Sequence, residues 1–267
     1  MVFKRLFGRR EPSVPRVWSA PEGQRIYAIG DIHGRLDLLD QLLVMIDADD
    51  AKRGTAQTQL IFLGDLVDRG SDSRGVIERL IALAAASDHV RFLKGNHEEL
   101  LIRVWEGDSR STGLFHRVGG RATMLSYGMD PDHYDDADLS SLAAMIADHV
   151  PAGHIEFLRS FDDWIIAGDY LFVHAGIRPG LSIEEQTPSD LRWIRTDFTE
   201  NDDVHDMMVV HGHSITDYID ERPNRIGIDT GAFHSGALTA IGIEGTERWY
   251  ISTKEDVRVG RGDDLSR

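Results

Sequence analysis

The sequence predicts a mixed α/β sandwich with helices outside, and three observations carry that prediction. Short apolar runs suited to buried strands alternate with helix-period patterns in the first half, short strand-like runs with Gly-rich turns crowd the second half, and polar motifs sit at the ends of five runs. At 267 residues the chain can bury one sizeable core. One domain is therefore expected over residues 21–253, between a basic N-terminal tail at 1–20 and a disordered, charged C-terminal tail at 254–267.

In the N-terminal tail, Lys4, Arg5, Arg9 and Arg10 interleave with Phe3, Leu6 and Phe7 ahead of Pro12–Pro15. The pattern suits a membrane surface or a partner, but so short a helix is marginal in water, and a frayed solvated terminus is expected. Arg25–Ile29 is the first strand, and Leu36, Leu39, Leu42, Leu43 and Ile46 then recur at helical spacing. Gln59–Leu63 is the second strand, followed by a helix carrying Val76, Ile77, Leu80, Ile81 and Ala84, and Val90–Lys94 is the third. Residues 107–150 are less regular: Gly119–Gly120 breaks them, and the acidic stretch Asp130–Asp138 is expected as a solvated loop. Tyr170–Val173 and Met207–Val210 are two further buried strands, after which Arg225–Asp229, Ala237–Ile243 and Trp249–Ser252 follow in a hairpin pattern. No internal repeat is present.

Composition narrows the chemistry. Lys and Arg number 29 against 45 Asp and Glu, a formal charge of −16, which argues against a nucleic-acid partner or adhesion to an anionic membrane. The absence of cysteine excludes disulfides and thiolate ligands, leaving oxygen and imidazole donors of the kind that suit Mn²⁺, Fe or Zn²⁺. No apolar run approaches the roughly 20 residues of a membrane span, and no signal-peptide apolar core opens the chain. No stable membrane insertion and a cytoplasmic location are expected.

The five motifs are GDIHG (30–34), GDLVDRG (64–70), GNHE (95–98), VHAG (173–176) and HGHS (211–214). Strand ends are where α/β proteins build sites, and together these supply a carboxylate and imidazole set able to hold two cations. Asp31 and His33, two residues apart, point to one side if strand geometry persists that far, and so can share one ion. The carboxylate of Asp65 can bridge, while Asn96, His174 and His213 are a neutral set suited to a second ion. His97 can protonate a leaving oxygen with Asp68 orienting it. Arg69 has a planar fork matched to phosphate oxygens, and Arg195 can supply a second, with Arg192 its rival.

These motifs, in this order, resemble the PPP-type serine/threonine phosphatases of the calcineurin-like metallophosphoesterase superfamily, over roughly residues 25–245. IDTGA (228–232) and GALTAI (236–241) resemble that family's closing strands, and Gly119–Gly120 through Ser126–Tyr127–Gly128 resembles a segment of its bacterial members. The resemblance implies a four-layer α/β/β/α sandwich with a dinuclear site at one edge. It implies one divalent ion, Mn²⁺ first among the choices, on Asp31, His33 and Asp65, and a second on Asp65, Asn96, His174 and His213. His211 is left as a strand-end residue. His97 is implied as the general acid with Asp68 as its partner, and Arg69, Arg195 and Asn96 as the groups touching substrate.

The function this implies is hydrolysis of phosphoserine or phosphothreonine in a phosphorylated protein or phosphopeptide, by direct attack of a hydroxide held by the two ions. The alternative is a diadenosine tetraphosphate hydrolase, which shares fold and ligands but characteristically has Ala in place of Asp68 and Asp in place of Glu98. A catalytically inactive scaffold is the remote alternative, and the completeness of the site argues against it.

Overall fold

The structure, a computed structural model, describes residues 16–261. The first sheet is built from β1 (Gln24–Ile29), β2 (Gln57–Phe62) and β3 (Val90–Phe92), which run parallel, together with the later hairpin. The second sheet gathers β4 (Trp164–Ala167), β5 (Tyr170–Val173), β6 (Met208–His211), β7 (Ile219–Glu221) and β8 (Arg225–Gly227). The chain then returns to the first sheet as the antiparallel hairpin β9 (Thr239–Glu244) and β10 (Glu247–Ser252), and ends in the second as β11 (Val259–Arg261). Strand order is β10-β9-β1-β2-β3 in one sheet and β11-β7-β8-β6-β5-β4 in the other.

Three apolar layers hold these sheets. Ile26, Ala28, Ile61, Phe172, Val210, Ile226 and Ile241 fill the space between them. The other face of the first sheet packs on α1 (Leu36–Asp50), α2 (Ser73–Ala86) and α3 (Asn96–Trp105), with Leu39, Leu42, Ile46, Val76, Ile77 and Leu80 buried at the spacing the sequence shows. The other face of the second sheet is covered at β5 and β6 by the short helices Pro188–Trp193 and Thr196–Thr199 through Leu191, Ile194 and Phe198. Helix, sheet, sheet and helix form the predicted four-layer sandwich. Among the described residues no helix is long and apolar enough to cross a membrane.

Several expectations are corrected. Asp130–Asp138 is not an open loop: Asp130 caps a helix at Pro131–Asp136, and Asp138 caps the next at Leu139–His149. Aspartates favoured as solvated loop residues on composition serve here as helix N-caps. Residues 254–261 were expected in a disordered tail, yet Val259–Arg261 pairs with β7, adding backbone hydrogen bonds that charge content does not report. Trp18 and Ala20, placed in the N-terminal tail, are buried between the sheets. The remainder of both tails, 1–15 and 262–267, lies outside the described residues.

Candidate dinuclear metal centre

The parallel strands deliver the site. Asp31, Asp65 and Asn96 follow the C-terminal ends of β1, β2 and β3, while His174 and His213 follow β5 and β6, so both sheets present donors at the same edge. The backbone then bends sharply. His33, Asp65, Asp68, Arg69 and His213 are the non-glycine residues with left-handed φ, between 48° and 72°, among those described, and all five belong to the predicted set. Such conformations cost energy and cluster where structure serves a site. His33 therefore reaches the site from a left-handed turn rather than from a continuing strand, because β1 stops at Ile29.

Glu98 holds the turn after β2. Its carboxylate accepts hydrogen bonds from the backbone N–H of Asp65 (2.8 Å), Leu66 (2.8 Å) and Gly95 (2.9 Å). A side chain on Gly95 would collide with the Asp65 carboxylate, and one on Gly212 with that of Asp31. These glycines leave room for carboxylates that a Cβ would displace.

Two clusters share Asp65. His33 and His97 approach its Oδ2, each at 3.7 Å by Nε2, and His174 Nε2 lies 3.3 Å from Oδ1 with His213 in the same group. The Asn96 side-chain oxygen is 3.1 Å from His174 Nε2. His33 Nδ1 donates to the Val67 carbonyl and His174 Nδ1 to the Leu63 carbonyl, each at 2.8 Å, which turns Nε2 of both rings toward Asp65. Nε2 of His33 and of His213 are buried without a hydrogen-bond partner. Asp31 sits alongside, accepting from the His213 backbone N–H at 3.1 Å.

The electrostatics call for cations. Asp31, Asp65, Glu98 and Asp229 are all buried. Burial, then the charges of Asp229 and Asp65, hold the Asp31 carboxyl well above the usual range, and burial followed by Asp65 pushes Glu98 up to about 7. Asp65 moves the other way: burial opposes its charge, but the histidines around it prevail and lower it well below the ordinary value. Burial, then His174, drives His213 down to about 2, so that ring is a neutral donor. Buried carboxylates facing unpaired imidazole nitrogens, with no thiolate, fit a pair of hard or borderline divalent ions.

The remaining predicted residues fall around this cluster. His97 Nδ1 lies 2.6 Å from Asp68 Oδ2. Burial disfavours its charge, yet the carboxylates of Asp65 and Asp68 outweigh burial and raise its pKa. Arg69 donates to His97 Nε2 at 3.1 Å and to the Val118 carbonyl at 3.3 Å, and its guanidinium lies 4.8 Å from the Phe233 ring centroid. The exposed side chain of Arg195 makes no hydrogen bond among the described residues, and its charge is among those that depress His213. Arg192 is engaged elsewhere, with Asp163 at 2.9 Å and Glu99 at 3.3 Å. His211 is buried on β6 against Phe198, its Nδ1 donating to the Gly212 carbonyl at 3.0 Å, outside both clusters.

The supports of this cluster lie outside the five motifs. Thr123 Oγ1 donates to Asp68 Oδ1 at 2.6 Å and accepts from the Asp68 N–H at 2.9 Å. Gly119, with φ of 116°, accepts from the Arg69 N–H at 3.2 Å, and a Cβ there would press on the Arg69 backbone. The helical stretch around Gly119–Gly120 thus holds Asp68 and Arg69 in place. The sequence marks this stretch by its glycine pair and by its resemblance to a segment of bacterial members, neither of which gives its mechanical role. Asp229, a buried carboxylate beside Asp31, lies within IDTGA, outside the five polar motifs.

Comparison with known proteins agrees with this geometry. Residues 24–230 match the family model described as calcineurin-like phosphoesterase. A symmetrical bis(5'-nucleosyl)-tetraphosphatase of an Acidovorax species is 33% identical over 161 residues, covering 60% of this chain and 47% of that protein. The asymmetrical bis(5'-nucleosyl)-tetraphosphatase PrpE of Anoxybacillus flavithermus is 27% identical over 231 residues, covering 80% and 88%. Shewanella-like protein phosphatase 2 of Arabidopsis thaliana is 28% identical, covering 58% of this chain and 46% of that one. The chain spans about half the length of the symmetrical tetraphosphatases it matches. Among solved structures, one assigned provisionally as a diadenosine tetraphosphatase superposes with a TM-score of 0.59 at 21% identity, covering 90% of this chain and 96% of that one. A cold-active protein tyrosine phosphatase gives 0.54 at 16%, covering 87% and 81%.

Proposed function

The chain belongs to the calcineurin-like phosphoesterase family, and from that premise we propose that it is a two-metal phosphohydrolase whose substrate is a bis(5'-nucleosyl) tetraphosphate. The observation that supports the chemistry is the sharing of Asp65 between two donor clusters. Asp31, His33 and Asp65 would hold one ion, and Asp65, Asn96, His174 and His213 the other. Two bound divalent cations, with Mn²⁺ the first choice, would supply Lewis acidity toward the phosphoryl oxygens and activate water.

The chain's own residues do the rest. Arg69 and Arg195, and the Asn96 amide, orient the phosphoryl group and stabilise charge developing on its oxygens. Substrate phosphate would draw the Arg69 guanidinium from His97 Nε2, which frees that nitrogen to take up a proton from water and then hand it to the departing oxygen. Asp68 stabilises the imidazolium form of His97 before that transfer. No cysteine is present to form a covalent phosphoenzyme.

On substrate, the names of the relatives support a dinucleoside tetraphosphate, and the PrpE likeness extends over most of both chains rather than the motifs alone. That reverses the order expected from sequence. Phosphoserine or phosphothreonine in a protein remains the second reading, on one observation: the 2.6 Å His97–Asp68 pair. A proton donor matters most for a basic alkoxide, and little for a nucleotide leaving as a stable phosphate.

Side-by-side turnover of diadenosine tetraphosphate, a phosphoserine peptide and a phosphotyrosine peptide, with Mn²⁺ added, tests the proposal. The expected result is the highest kcat/KM on the dinucleotide. A preference for the phosphoserine peptide of more than about tenfold would move the assignment to the second reading. No turnover of any of the three by protein carrying two metal ions would overturn both.

A further inference from the structure

The outer face of the second sheet is only partly covered. β4 is its edge strand, pairing with β5 alone, and the helices Pro188–Trp193 and Thr196–Thr199 do not reach it. A groove of about 500 Å³ opens there, lined among others by Ile166, Leu171, Leu181 and Val204, with Glu184 and Asp206 at its sides. Ile166 is 48% exposed, Leu181 40% and Val204 68%, a grouping of large apolar side chains not used by the metal site. More acid lies close in sequence, at Glu185, Asp202 and Asp203.

We propose that this groove seats the chain's own N-terminal segment, residues 1–15. Ser19, three residues from the start of the described chain, is tied to the turn beside the groove. Ser19 N–H donates to Asp169 Oδ2 and the Asp169 N–H to the Ser19 carbonyl, both at 2.9 Å, in the turn joining β4 to β5. Ile166 and Leu171 pair with each other just inside that turn, and the Asp169 carbonyl accepts from Met208, next to the lining residue Met207. From Arg16 back to Phe7 the chain can extend about 30 Å, enough to travel along the groove.

The chemistry matches on both counts. Phe3, Leu6 and Phe7 recur at helical spacing, and Lys4, Arg5, Arg9 and Arg10 surround them with no acid before Glu11. Apolar anchors at i, i+3 and i+4 are the pattern by which a short helix fills an apolar groove, and four cations would meet an acidic rim. A helix too short to persist in water gains stability from such packing.

The test uses the full chain with p-benzoylphenylalanine placed at Phe7 and irradiated in dilute solution. Mass spectrometry is expected to find adducts within the same chain on the peptides carrying Ile166, Leu171, Leu181 or Val204. Covalent dimers, adducts elsewhere on the surface, or no adduct would overturn the proposal. In parallel, Ile166→Lys with Val204→Lys puts repelling charge in the groove without touching the metal site. Trypsin cleavage after Arg5, Arg9 and Arg10 should accelerate at least about tenfold in this variant, while turnover of an aryl phosphate, reporting an intact fold, stays unchanged. Equal cleavage of both proteins would overturn the proposal, as would protection of wild-type protein that appears only when anionic vesicles are added.

Discussion

The hydroxyl of Thr123 donates to Asp68 Oδ1 at 2.6 Å, while the opposite oxygen of the same carboxylate lies 2.6 Å from His97 Nδ1. A helix outside both donor clusters therefore sets the position of His97. Thr123→Val keeps the side-chain shape and removes the hydroxyl. His97 is raised in pKa with Asp65 and Asp68 as the groups that lift it, so a displaced Asp68 lowers that pKa. A general acid must be protonated, so the alkaline limb of the kcat/KM profile is expected to move to lower pH, with metal content unchanged. An unmoved limb at lowered kcat would make Thr123 a packing residue only.

His97→Asn separates proton donation from metal activation by the basicity of the leaving group. On a phosphoserine peptide the loss should be roughly 10²- to 10⁴-fold, and on an activated aryl phosphate or a dinucleoside tetraphosphate much smaller. Asp68→Asn should show the same bias more weakly. Equal losses on all substrates with metals retained would remove His97 from the role of acid.

The three arginines should divide. Arg69→Ala and Arg195→Ala each lose a group facing developing charge, costing roughly 2–4 kcal/mol in transition-state stabilisation with metal content intact. Arg192→Ala instead breaks contacts to Asp163 and Glu99, so its effect should appear in thermal stability rather than in kcat/KM. Normal kinetics in Arg195→Ala together with a crippled Arg192→Ala would exchange the two assignments.

Gly119→Ala tests the cradle behind Arg69. At φ of 116° an added Cβ is strained, and it would lie 2.8 Å from the Arg69 backbone nitrogen. The variant is expected to reproduce the kinetic defect of Arg69→Ala while keeping both metals, and wild-type kinetics would show that the segment tolerates displacement.

Much of this site is legible in sequence because its donors occupy the ends of parallel strands. An apolar run followed by Gly-Asp or Gly-Asn states both the element and its terminus, and the clusters around Asp65 bring together residues named from those motifs. What sequence concealed are supports that act through distance in the chain. Thr123 meets Asp68 across 55 positions and Glu98 meets Asp65 across 33, pairings that no local pattern records. The left-handed turn at His33 escaped for the opposite reason, since a histidine at positive φ is held there by its surroundings and not by its own preference. The helices capped by Asp130 and Asp138 show composition favouring a loop where capping geometry decides otherwise.

Metal counting on the purified chain tests whether Asp65 joins two cations. Asp65→Asn preserves the shape of the side chain and removes the charge that faces both donor clusters. Elemental analysis after equilibration with Mn²⁺ and gel filtration is expected to give two ions per wild-type chain, and loss of metal together with turnover in the variant. Two ions retained by Asp65→Asn with near-normal turnover would show that Asp65 does not bridge them.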